Sequence, residues 1–524
     1  MEAIRRHRQW AGVFLLALAA VAPLAIRSQG ALAIEMHEIF VARTAEEMLE
    51  QGNWLVPLYN GNPRLTKPPL NYWLVMAVDR LGNRDGRISS AEARLPNQVA
   101  SVIWVGLTAL LGAAVAGRSI GLLAGLMLAG MAGYMGYGSN ARPDMLYAVL
   151  NTGGLLGFVL AYRWHQQQAP RHRTAMAKWA AWISLTLASL TKGPYLPLLI
   201  AATFIVWLAA RGQRRAIGPV VGPLLGVPVL LAGFLWWYLL IFQRTPHLLE
   251  VLQTEVNQRI QQRHKSWLDW IKPYYLPATA QMVMPWLLFF GLAILAPLSR
   301  RFRANPLAML VWWACLVSVL AFQVLWERYR HYTLPVLGPL AVLMAMQAVA
   351  MGRWLIERDR AWLWRLVVAG HLAGFVVLLA GVRWLVPDEV APPAQAVVAL
   401  GIGSLAAIIA LEAFRSARGD RVELPLAVTA VASVALCALL GFNASIWNPQ
   451  RIRQRDAAYA VGDFIETATK PVVSWQYGAH YVRYYLHRNI LTVHDPAKLA
   501  ALAAQHAGLY VLTEARKPIP PTLP

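Results

Sequence analysis

The residues able to do chemistry crowd into one stretch, Glu35 to Trp73, of a chain that is otherwise largely apolar. Glu35, His37 and Glu38 fall within four positions. A carboxylate or imidazole there can act as general base toward an acceptor hydroxyl or amine, and carboxylates could instead coordinate a divalent metal such as Mg, Mn or Zn. A further acid, Asp144, follows Arg142 and Pro143 at the start of an apolar run. It suits a helix N-cap as well as a catalytic role, and a cap would hold its side chain in place. Lys67, Lys192, Arg94, Arg328 and Arg330 are cations near the ends of apolar runs. Any one of them could snorkel to headgroups. As a set, with Lys67 and Lys192 held in Pro- and Gly-flanked turns, they suit an anionic phosphate ester. His331, Tyr274, Tyr275, Tyr329 and Tyr332 could stack on a sugar or bind phosphate, or anchor the chain at a membrane interface.

The elements that hold these groups follow from composition. The chain has 524 residues, 57% hydrophobic and 14% charged, which excludes an ordinary soluble domain. Apolar runs of about 17–25 residues recur, each long enough to cross a roughly 30 Å hydrocarbon core. The fold class expected is therefore an all-α polytopic membrane protein, because open backbone cannot cross lipid unsatisfied. The 22 Trp and 18 Tyr fit interfacial belts. Arg5, Arg6 and Arg8 precede a first span, Trp10 to Ile26; with no small-x-small cleavage site after it, this reads as a span and not a signal peptide, its N-terminus cytoplasmic. Further spans are expected near 97–115, 119–137, 146–162, 177–192, 195–210, 217–242, 281–298, 307–325, 333–351, 363–386, 395–413 and 424–443, about thirteen in all. Alternate loops are rich in basic residues, such as Arg211, Arg214 and Arg215, or Arg300, Arg301 and Arg303. That asymmetry accounts for the net charge of +22 without a nucleic-acid partner. Cys315 and Cys437 lie in apolar runs and read as small core residues.

An odd span count places the first loop and the C-terminus on the outer face. The expected organisation is a transmembrane domain, 1–445, with a catalytic outer loop, 30–96, followed by a small α/β domain, 446–524, on the same outer side. In the loop, Ala45–Gln51 reads as an amphipathic helix with Met48 and Leu49 on one side and Glu46, Glu47 and Glu50 on the other. The long segment from Phe242 to about Ala280 should lie along the interface. The small domain reads as helix 456–467, strand 472–475, helix 480–486, strand 489–493, helix 498–505 and strand 509–512, with no nucleotide motif.

From Glu47 to Trp73 the chain reads E-M-L-x-x-G-x-W-x-x-P-x-x-N-G-x-P-x-x-x-K-P-P-L-x-Y-W. This resembles the first outer loop of the bacterial lipid-A aminoarabinose transferases and of the wider dolichyl-phosphate-mannose:protein mannosyltransferase-like family. Matching stretches follow in order at Glu92–Pro96, Arg142–Leu146, Leu190–Pro194, Pro273–Pro277 and Arg328–Pro335. The resemblance implies a GT-C membrane glycosyltransferase of the bacterial inner membrane. It would move a sugar by inverting transfer from a polyprenyl (undecaprenyl) phosphate carrier to a periplasmic-side acceptor, lipid A or lipopolysaccharide or another glycan or lipid, without a nucleotide sugar. The α/β domain would then be periplasmic. In the family the loop begins with an Asp-Glu pair, with the Asp favoured as base; here the pair is His37-Glu38. The base is then Glu38, Glu35 or His37, with Asp144 at the family's second acidic position and Lys192 at its outer-loop lysine. Lys67, Lys192, Arg94, Arg328, Tyr329, Tyr72, Tyr274 and Tyr275 form the substrate-binding set. A protein O-mannosyltransferase-like enzyme on the same scaffold is one alternative. A polyprenyl-lipid flippase is another, opposed by the scarcity of midspan acids.

Overall fold

The computed structural model describes residues 34–244, 272–324, 328–370, isolated positions between 422 and 434, and 449–513 apart from 477, 478 and 507. The expected spans at 10–26 and 395–413, most of those at 363–386 and 424–443, Cys437 and the interfacial piece 245–271 lie outside the described residues. Contacts divide the chain into two compact units: one within Asn97–Trp447, the other combining Gly30–Pro96 with Asn448–Pro524. The chain passes from one to the other inside the helix Ser90–Ala116, after Pro96.

The first unit is helical. Among the described residues, five helices are long and apolar enough to cross a membrane: Ser90–Ala116, Asp144–Gln166, Pro223–Arg244, Pro306–Gln323 and Arg330–Ile356, the last opening with a 3-10 turn. The expected single span at 119–137 is instead two helices, Arg118–Ala129 and Ala132–Gly138, bent by 60°. Gly130 ends the first, Met131 is extended, and the amide freed at Ala132 donates to Met284 O at 2.9 Å. Backbone from another segment thus satisfies the break, which lipid could not do. The expected span 281–298 is likewise divided into Tyr275–Met282 and Leu287–Leu295, and Trp286 Nε1 between them donates to Met127 O at 3.0 Å. At 217–242 the break falls at Gly222, whose φ of +60° suits glycine.

Helix Asp144–Gln166 folds back on Arg171–Lys192 over most of their length. Gly154 and Gly157 permit this, because a Cβ at Gly157 would lie 2.8 Å from Ala177 O. On Pro223–Arg244, Leu224, Leu225, Leu239 and Phe242 are exposed, an apolar face that suits lipid. Cys315 is buried in the same unit. Helices Ser90–Ala116 and Arg118–Ala129 touch backbone to backbone, where a Cβ at Gly121 would meet Ala109 O at 2.3 Å. Gly121→Val is therefore expected to destabilise by about 1–3 kcal/mol or more, read as a lowered melting temperature in detergent.

In the second unit a parallel three-stranded sheet has the order Thr492–Val493, Val472–Trp475, Tyr510–Leu512, with Ser474 opposite both Thr492 and Leu512. Val473, Trp475, Val493 and Leu499 pack as one apolar cluster, and Ala458, Ala479, Val482 and Ile490 as another. The first helix of this domain runs from Pro449 to Thr467, seven residues earlier than the pattern predicts at 456.

Helix Met36–Glu50 packs on Leu70–Leu81 and on His480–Tyr485. It begins well before the predicted Ala45, and its acids correct the amphipathic reading, since Glu46 and Glu47 are fully buried. Buried Arg43 supplies the reason: it pairs with Glu46, with Glu47 (3.4 Å) and with Glu50 (3.1 Å). Glu47 also accepts from the amides of Asn60 (2.7 Å) and Gly61 (2.9 Å), fixing the small hairpin Leu58–Pro63. Glu46 accepts from Ile88 N (3.1 Å) and meets His487 Nδ1 at 2.7 Å. Charges with this many partners are stable inside a protein.

His480 shares a 2.5 Å hydrogen bond with the Tyr59 hydroxyl. Burial, then the nearby Arg483 and Arg64 charges, hold its imidazole down to about 4. A histidine lowered in the folded state contributes stability that is complete above its unfolded pKa, near 6.5, and is lost as pH falls toward 4. Thermal denaturation should therefore show stability falling between pH 6.5 and 4, with a shallower slope in His480→Gln.

Candidate active site

Glu38 occupies the first turn of Met36–Glu50 and is 1% exposed. Arg94, near the start of Ser90–Ala116, reaches it as a two-pronged clamp: Nε to Oε1 and Nη2 to Oε2, both at 2.8 Å. The amide of Glu35 adds a third donor to Glu38 Oε2 at 2.9 Å. Both oxygens are thus engaged by charge-assisted or backbone donors. His37, one residue earlier, is exposed, and Glu35 is half-buried. Lys67 is half-buried in the turn before helix Leu70–Leu81, with Pro68 and Pro69 buried beside it in sequence and Tyr72 buried in the helix.

A second cluster forms where two packed helices end together. Asp144 is the first residue of Asp144–Gln166, and Lys192 the last of Arg171–Lys192. The N-cap position belongs to Pro143, so Asp144 is not the cap. Its carboxylate accepts from Lys192 Nζ at 2.5 Å, and His331 Nε2 lies 3.8 Å from the same oxygen. Lys192 Nζ also sits over the Tyr332 ring at 4.3 Å. His331 stacks on Tyr329 at 5.3 Å and meets Tyr332 edge-on at 5.0 Å. Gly193, at φ +112°, lets the chain turn directly after the lysine. Asn97, which sequence reasoning missed, donates to the carbonyls of Asn140 (2.8 Å) and Arg142, fixing the loop that delivers Asp144. Its only sequence signal was a polar side chain at the start of an apolar run.

The remaining candidates lie within the same unit. Arg328 donates to the carbonyls of Lys272 and Gln323, each at 3.4 Å, and so ties two segments together. Tyr275 is buried and edge-on to Tyr274 at 5.1 Å. Arg330 is exposed. Asp144, Lys192, His331, Tyr332 and Tyr329 are therefore neighbours, and Glu38 and Arg94 are a pair. The Asp144–Lys192–His331 arrangement can hold an anion against two potential cations while keeping a carboxylate fixed beside it. Asp144 and His331 would offer a divalent ion two donors. No group of three His, Cys, Asp or Glu side chains placed for a metal occurs among the described residues.

The fold that positions these groups is shared with solved membrane-protein structures. ArnT from Cupriavidus metallidurans, in its structure bound to undecaprenyl phosphate, superposes with a TM-score of 0.69 at 19% identity, covering 96% of this chain and 90% of that one. The archaeal oligosaccharyltransferase AglB of Archaeoglobus fulgidus shares the fold at a TM-score of 0.56 and 14% identity, covering 94% of this chain and 65% of that one. In sequence the chain is similar to the undecaprenyl phosphate-alpha-4-amino-4-deoxy-L-arabinose arabinosyl transferases. That of Yersinia enterocolitica is 26% identical over 395 residues, 71% of this chain and 66% of the relative. Matches to such curated relatives span 59–66% of their lengths. No family model matches the chain.

Proposed function

We propose that this chain is an inner-membrane glycosyltransferase that moves an amino-sugar from an undecaprenyl phosphate carrier to lipid A on the periplasmic side. The observation that carries this reading is the Asp144–Lys192–His331 cluster, in a fold shared with a protein crystallised with undecaprenyl phosphate. On the same reading the N-terminus is cytoplasmic, about thirteen spans cross the membrane, and the small α/β domain is periplasmic.

In the transfer, the acceptor nucleophile attacks the anomeric carbon as the bond to the carrier phosphate breaks, inverting the centre. The phosphate leaves with the electron pair. Lys192 neutralises the charge that develops on it, the electrostatic share of the catalysis. A phosphate monoester is a fair leaving group, so no general acid is needed. Glu38, with both oxygens held by Arg94, is fixed as an orienting group, and exposed His37 beside it takes the acceptor proton. Purified full-length protein should transfer sugar from a synthetic undecaprenyl-phosphate-linked 4-amino-4-deoxy-L-arabinose to lipid A, adding one sugar mass. His37→Ala should lower kcat and leave donor binding intact. Donor consumption with lipid A unchanged would overturn the acceptor assignment, and donor left unconsumed would overturn the transferase.

A further inference from the structure

The second unit carries a cationic, aromatic cluster that the proposed transfer does not use. Arg64, on the loop after the Leu58–Pro63 hairpin, lies over the Phe40 ring at 4.2 Å and the Tyr59 ring at 5.9 Å. Arg483 approaches Tyr59 at 5.9 Å. Phe40 packs edge-on to Tyr59 (5.0 Å) and His480 (4.8 Å). Arg483 is buried and spends one guanidinium nitrogen on Ile490 O and Thr492 Oγ1. The buried Nε atoms of both arginines make no hydrogen bond. Neither guanidinium is within ion-pair distance of a carboxylate among the described residues; the nearby Glu47 is occupied by Arg43 and two backbone amides.

Two uncompensated cations this close together are costly unless an anion joins them. Arg64, Phe40, Tyr59 and His480 are each half-buried, so the group is reachable from outside. Tyr59 and neutral His480 share one proton between them in their 2.5 Å bond, and the pair holds two, so one N–H or O–H donor remains to point away. A guanidinium beside a neutral donor, on an aromatic floor, matches the tetrahedral oxygens of a phosphoryl group.

We propose that Arg64, Tyr59, His480 and Arg483 form a phosphoryl-binding site for the acceptor. It selects a phosphorylated glycolipid. This rests on the transferase reading for the acceptor's identity, but its test needs no turnover.

Full-length protein in neutral-lipid nanodiscs would be titrated with diphosphoryl lipid A, with phosphatase-treated lipid A and with undecaprenyl phosphate. The wild type should prefer the phosphorylated glycolipid by about tenfold or more, the scale of a charge-assisted contact. Arg64→Gln should abolish that preference and Arg64→Lys should restore part of it. Undecaprenyl phosphate affinity and melting temperature should stay unchanged in both. A preference that survives Arg64→Gln overturns the site, as does a loss confined to undecaprenyl phosphate, which would give Arg64 to the carrier. Full displacement of the glycolipid by millimolar inorganic phosphate would assign the cluster to free phosphate and overturn the headgroup reading. A retained preference in wild-type protein that shows no sugar transfer would leave the site standing and sink the transferase alone.

Discussion

Arg94→Gln is expected to cost about 3–5 kcal/mol of stability, the usual penalty for breaking a buried ion pair from one side. Arg94 and Glu38 are 3% and 1% exposed and meet at 2.8 Å on two parallel hydrogen bonds. Removing the guanidinium takes the charged partner from a carboxylate held out of water, and the Glu35 amide at 2.9 Å does not replace that charge. The converse change, Glu38→Gln, strands Arg94 and should cost a similar amount. The double variant Glu38→Gln/Arg94→Gln should recover a large part of the loss, because two neutral amides can bond each other. Strict additivity of the two single losses, measured by thermal or denaturant unfolding, would contradict the pairing. Transfer activity should be low in all three, since the acceptor-orienting carboxylate is either removed or no longer held by Arg94.

Lys192→Met is expected to lower kcat by about 10²–10³-fold, the scale of removing one preorganised group from a developing negative charge. Its ammonium is held from two sides, by Asp144 Oδ1 at 2.5 Å and by the Tyr332 face at 4.3 Å, so it needs little reorganisation to meet a phosphate. Asp144→Asn should behave differently. It frees Lys192 and His331 from a competing carboxylate, so the donor should bind more tightly while turnover slows, because the lysine is no longer held in place. Lowered KM together with lowered kcat is the signature of that exchange. An Asp144→Asn enzyme with unchanged KM would show that the carboxylate does not compete with the carrier phosphate.

The helical membrane class was legible because apolar runs of spanning length leave few other folds open. The bends were not: Gly130 looks like any glycine in an apolar run, and only Met284 O, distant in sequence, makes the break tolerable. Asp144 and Lys192 were each singled out from local pattern, but nothing in a separation of 48 residues pairs them; the packing of two helices does. Glu46 and Glu47 were misplaced because helical periodicity assumes that acids seek water. Arg43, Asn60 and Gly61 supply the partners that let these two turn inward. Arg64, the unspecified residue three positions before the motif lysine, has no local pattern to mark it; the Phe40 and Tyr59 rings beside it come from other parts of the fold.

The most direct test is mass spectrometry of lipid A, other lipids and glycoproteins from cells with the protein, without it, and with Lys192→Met in its place. One added amino-sugar on lipid A is expected in the first case only. An unchanged lipid A pool, with the sugar on a protein or remaining on its carrier in all three, would contradict it.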